Sequence, residues 1–161
     1  MLCCKKQYIL LSVFLIILSC NNVPLYTTKL TENLINDKIT VGEINGDVGF
    51  YLSQKLRLSL KDTGHKKPIK LSAKLTLTNN EYGLSSSNQV TRKDLIGTIN
   101  CKLRKNDHEH KFIITERVSF DINQSSAANK AAEQNAKKRL STLLSKRILT
   151  ELYHSNLAWI K

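Results

Sequence analysis

Ile69-Lys70-Leu71-Ser72-Ala73-Lys74-Leu75-Thr76-Leu77-Thr78 sets an apolar side chain at every odd position and a polar one at every even position. Successive side chains of an extended chain point to opposite faces, so the stretch is a strand with one dry and one wet face. Such a strand belongs to an antiparallel or mixed sheet covered on one side only, since strands buried on both faces carry continuous apolar runs. The rhythm returns toward the C-terminus. Ile99, Cys101 and Leu103 alternate with Asn100, Lys102 and Arg104, and after a turn at Asn106-Asp107-His108 a further strand carries Phe112, Ile114, Val118, Phe120 and Ile122. Asn79 to Asn88, rich in Ser and Asn, reads as a loop in which Tyr82 and Leu84 are exposed or folded back. Glu116 interrupts the last apolar face, which implies a bulge, a place at the sheet's edge, or a pairing with Arg117 or Lys111.

On both sides of these strands the period changes to that of a helix. Ser125-Ser126 opens the longest helical stretch, with Ala128, Ala132, Ala136, Leu140, Leu143, Leu144, Ile148 and Leu152 on one side and Lys130, Lys137, Lys138, Arg139 and Lys146 mostly on the other. An apolar stripe requires a polar back, so the basic face reads first as a solvated one. Upstream, Val48, Tyr51, Leu52, Leu56 and Leu60 recur at three and four residues, with Asp47 as cap and Gly64 as stop. Before them, Ile39 and Val41 alternate in a short strand that leads to the turn Asn45-Gly46-Asp47. The expected fold is α+β, a two-layer sandwich in the order β-α-β-β-β-α, with two helices on one face of a four-stranded mixed or antiparallel sheet.

Residues 1–19 form a lipoprotein signal: Lys5 and Lys6, an apolar run from Tyr8 to Leu18, and Ile17-Leu18-Ser19-Cys20 at its close. The run is about half of the roughly 20 residues that a bilayer-spanning helix needs. Cys20 is the expected lipidation site. Residues 20–37 form an anchored tether, 38–153 the domain and 154–161 a tail that contains Trp159 and Ile160. The whole chain of 161 residues carries 25 bases and 13 acids; without the signal, 23 bases face the same 13 acids, a formal charge of +10. For an exported, tethered domain that charge points to anionic lipid or an acidic partner surface and away from nucleic acid. Cys101 is left as a small buried residue. His108-Glu109-His110 has the look of a metal pair, but no other His or Cys is placed to complete a site. With no phosphate loop, nucleophile motif or paired carboxylates, neither an enzyme nor a cofactor is expected.

The chain resembles the lipopolysaccharide-assembly lipoprotein family, LptE, over residues 20–152. The residues that carry the likeness, by their order, are Cys20 followed by Pro24-Leu25-Tyr26, then the first strand and helix, then Thr91-Arg92-Lys93-Asp94-Leu95-Ile96-Gly97 leading into the third strand, and the Ala-rich helix from Ala127. The resemblance implies an outer-membrane lipoprotein, lipid-anchored and facing the periplasm, that sits inside an LptD-type β-barrel, helps it assemble and assists lipopolysaccharide to the outer leaflet. Asn21 is compatible with outer-membrane sorting. The family's lipopolysaccharide-contacting bases would fall on Arg92, at a tip before the third strand, and on Lys130, near the start of the last helix. Two other readings stand beside this one: an auxiliary lipoprotein of an envelope lipid transporter, and a free-standing binder of anionic glycolipid.

Overall fold

The computed structural model describes residues 38–64, 67–84 and 90–155. The signal, Cys20, the tether, the Ser85–Ser87 segment and Trp159–Ile160 lie outside the described residues.

The alternating stretch is the core of a sheet in the order β1-β2-β3-β4. β1 (Ile39–Val41) is followed by helix α1 (Asp47–Ser59), then by β2 (Ile69–Leu84), β3 (Val90–Lys105), β4 (His108–Asp121) and helix α2 (Ser126–His154). β1 runs parallel to β2, with Ile39 opposite Ile69, while β2–β3 and β3–β4 are antiparallel, so the sheet is mixed. The expected element order and layer arrangement are both present. Apolar residues of one sheet face, among them Ile69, Leu71, Ile99, Cys101, Leu103, Ile114 and Val118, join Leu52 and Leu56 of α1 and Leu140, Leu144, Ile148 and Leu152 of α2 in one buried cluster. Burial pushes the Cys101 thiol up to about 12, which makes it an inert core residue.

Several local expectations are corrected. β2 does not end near Thr78: Asn79 to Tyr82 stay in register opposite Leu95 to Arg92, and Leu84 pairs with Val90. Long cross-strand pairing overrides the weak strand preference of Asn and Gly. The β3–β4 turn holds only Asn106 and Asp107, closed by the Lys105–His108 pair, with Asn106 at φ 51. This is the left-handed conformation that two-residue hairpins require and Asn tolerates. Asp47 is the first helical residue and not the cap, a position taken by Gly46 at φ 86. It ion-pairs at 3.6 Å with Lys137, which also holds Glu133 at 2.9 Å; Lys137 therefore faces α1 and not solvent. α1 stops at Ser59, well before Gly64, and the Lys67 ammonium donates to the carbonyls of Leu60 and Lys61. In α2, Ala128 and Leu143 are exposed and the buried stripe starts at Ala136. The close approach of α2 to the sheet is made over Gly97. Glu116 lies on edge strand β4 opposite Gly97, without a bulge and without an ion pair among the described residues.

On the wet face, Glu109 accepts from Lys102 at 2.6 Å and Lys111 at 2.9 Å. Hydrogen bonds from those two lysines hold its carboxyl down at about 2, from an ordinary 4.5. Its folded-state value lies below the unfolded one, so the stability it adds is complete above 4.5 and is lost as pH falls toward about 2. Glu109→Gln should flatten the acid limb of stability over that window in urea denaturation at stepped pH. An unchanged acid limb would mean that the two contacts contribute nothing.

Candidate functional site

Arg92, Asp94, Arg117, Ser119 and Asp121 share the wet sheet face with Tyr82, because alternation and register place Tyr82, Arg92 and Asp121 in one cross-strand row and Asp94 opposite Ser119 in the next. Asp94 is only 5% exposed. Its Oδ1 accepts from the Ser119 hydroxyl at 2.6 Å and the Tyr82 hydroxyl at 2.8 Å, and its Oδ2 lies 3.5 Å from the Arg117 guanidinium. The Ser119 bond foremost, then that of Tyr82 and the charges of Arg117 and Arg92, hold the carboxyl below its ordinary range against the opposing effect of burial. Asp94 thus stays anionic and fixes Arg117 on the surface. Arg92 is not at a tip before the strand but inside β3, with its Nε 3.3 Å from Asp121 Oδ1.

β4 is an edge strand, so its end is open toward α2. A cleft of about 620 Å³ there is lined by Arg92 and Arg117 from the sheet, by Asn135 and Arg139 from α2, and by Phe120 and Asp121. Three guanidinium groups line it against one carboxylate, Asp121, while Arg117 is also paired with Asp94 beside it. A guanidinium fork binds a phosphate through two parallel hydrogen bonds and keeps its charge at any physiological pH, so this cleft suits a phosphorylated or otherwise anionic headgroup.

Lys130 lies elsewhere. Ser125 caps α2 by accepting from the Ala128 amide, and the Asn129 side chain bonds the Asn123 backbone at both its amide and its carbonyl. This corner places Lys130 in a smaller cleft of about 300 Å³ with Lys93, Phe120, Ile122 and Glu133. Lys93 is already paired with Glu81. Arg92 and Lys130 therefore sit at the same end of the domain but in two clefts that share Phe120. Arg139, a base on the polar back of the last helix, and Arg117, a sequence candidate to pair with Glu116, are the added members. Arg117 and Glu116 are chain neighbours in a strand and point to opposite faces.

His108 and His110 belong to β4 and not to a turn; His110 faces Phe112, while Glu109 points to the other face. No group of three His, Cys, Asp or Glu that could hold a metal occurs among the described residues. Likewise no helix among them is long and apolar enough to cross a membrane.

The family model described as LptE, Lipopolysaccharide-assembly, matches residues 32–152. Among solved structures, a protein of Caulobacter crescentus CB15 described as a lipoprotein is similar with a TM-score of 0.64 at 20% identity, over 83% of this chain and 97% of its own. Rare lipoprotein B of Shewanella oneidensis is similar with a TM-score of 0.56 at 15% identity, over 77% of this chain and 98% of its own. At these identities the two structures establish the fold alone. No curated protein sequence matches the chain.

Proposed function

The chain belongs to the LptE family of lipopolysaccharide-assembly proteins, and from that premise we propose that it is the lipid-anchored, periplasm-facing outer-membrane subunit of a lipopolysaccharide translocon, plugging an LptD-type β-barrel and presenting the arginine cleft to the glycolipid. The lipid anchor on Cys20 is part of this reading. So are contacts from Arg92 and Lys130, now joined by Arg117 and Arg139.

The observation that carries the reading is the cleft itself: three arginines from two layers converge at the open edge of β4, inside the segment that the family model covers. Lipopolysaccharide offers the fitting chemistry, phosphates on a sugar headgroup. Bases lining a cleft are desolvated further when a large ligand covers them, so their attraction for phosphate grows on binding.

Depletion of the protein in its own cell tests the role. Lipopolysaccharide labelled at the surface of intact cells should fall while total lipopolysaccharide persists, and a wild-type copy should restore it. Surface labelling that stays at its original level through complete depletion would contradict the proposal.

A further inference from the structure

We propose that the opposite end of the wet sheet face is a docking surface for anionic lipid headgroups, and that it sets the orientation of the domain at the membrane. This inference rests on the reading of Cys20 as the lipid anchor.

The wet face is not uniform along its length. At the β1 end, cross-strand rows place Lys70 beside Arg104 and Glu109, Ser72 beside Lys102 and Lys111, and Lys74 beside Asn100. Five bases there face the single carboxylate of Glu109, which Lys102 and Lys111 share. Lys70, Lys74 and Arg104 are exposed and form no ion pair among the described residues. Asp107 adds one acid in the adjoining turn. The middle of the face is a neutral row of Thr76, Thr98 and Thr115, the last two hydrogen-bonded at 3.1 Å. Beyond it lies the Asp94 cluster. The face therefore has two charged ends separated by a neutral belt.

Chain direction decides which end meets the membrane. Ile39 pairs with Ile69, next to Lys70, so everything that precedes the domain joins it at the basic end. A tether of residues 21–37 could extend up to about 60 Å, too far to orient a domain by itself. A basic surface supplies what the tether lacks, because bases near an anionic leaflet are each attracted to it within a Debye length. Docking also fixes a distance. Arg104 and Arg92 are separated along β3 by twelve residues, which at roughly 3.4 Å each is about 40 Å, comparable to the about 40–45 Å of a bilayer with its headgroups. A root held at the headgroups therefore keeps the far end of the face about 40 Å away from them when the strands run along the membrane normal.

The test uses the full-length lipoprotein in vesicles, labelled with a fluorophore at Asp107→Cys near the root or at Leu84→Cys at the far end, with a quencher on the lipid headgroups. Quenching at the root label should be strong in vesicles with about one-third phosphatidylglycerol and weak in pure phosphatidylcholine. It should fade in about 1 M salt, and it should stay weak at the far label throughout. Lys70→Gln with Lys74→Gln, which breaks no ion pair among the described residues, should lower the docked-to-undocked ratio about 30-fold, whereas Lys70→Arg with Lys74→Arg should leave it unchanged. Quenching that ignores lipid charge, or that survives the double glutamine change, would overturn the proposal and leave this face to a protein partner. The intact mass of the same sample reports acylation separately. An unacylated chain that still binds anionic vesicles through Lys70 and Lys74 removes the anchor and keeps the docking surface, whereas one that does not bind removes both.

Discussion

Leu144→Ala should lower the unfolding free energy of the domain by about 2–5 kcal/mol, the range for truncating a buried leucine when its surroundings collapse only in part. Leu144 is fully buried, and with Leu140 it forms the part of the contact between α2 and the sheet that lies over β3. The residue beneath them is Gly97. A Cβ added there would lie 3.0 Å from Leu140 Cδ2 and 3.2 Å from Leu144 Cδ1. Gly97→Ala should therefore cost about 1 kcal/mol, the low end for overpacking, since only the ends of two leucine side chains must give way. Because Leu144→Ala removes one of the crowded methyls, the double variant should lose less than the sum of the two singles. Chemical denaturation of the four proteins measures all three quantities. Strict additivity would place α2 farther from β3 than the structure has it.

Arg92→Ala combined with Arg139→Ala should weaken binding of a phosphorylated glycolipid headgroup about a hundredfold, taking about 1.5 kcal/mol for each charge-assisted contact at the low end of its range. Both side chains line the β4 cleft, but only Arg92 has an acid partner, Asp121, among the described residues. Lys130→Ala should cost far less, since Lys130 is exposed and lies in the neighbouring cleft. Asp94→Asn offers an indirect check. It leaves Arg117 without its carboxylate partner while keeping an oxygen for the Ser119 and Tyr82 hydroxyls, so binding should weaken without loss of the fold. Calorimetric titration of the purified protein with the headgroup separates these effects. If Arg92→Ala with Arg139→Ala binds as the wild type does, the cleft is not the glycolipid site.

The strand from Ile69 to Leu77 could be read from the sequence because its apolar side chains keep a period of two, on a face that is buried at Ile69 and Leu71, half-buried at Ala73 and Leu75 and exposed by Leu77. Its continuation through Asn79 and Asn80 could not. Both residues are exposed there, and what keeps them extended is pairing with Leu95 and Asp94, a long-range fact. Asp94 shows the same limit for the site. A charged residue at a wet position reads as solvated, and only register brings Tyr82, Ser119 and Arg117 around it. Arg139 was hidden by the helix average: its face of α2 is polar, yet that face borders the open edge of β4. Arg92 came from a motif shared with a family and not from periodicity. The structure adds its partner Asp121 and places it within a strand.

The most direct test of the translocon role is purification of the tagged full-length lipoprotein from its own envelope in mild detergent, washed in high salt, with mass spectrometry of what co-elutes. That role predicts a large outer-membrane β-barrel in one-to-one ratio, carrying lipopolysaccharide. Recovery of the lipoprotein alone, or with inner-membrane transporter subunits in place of a barrel, would contradict it.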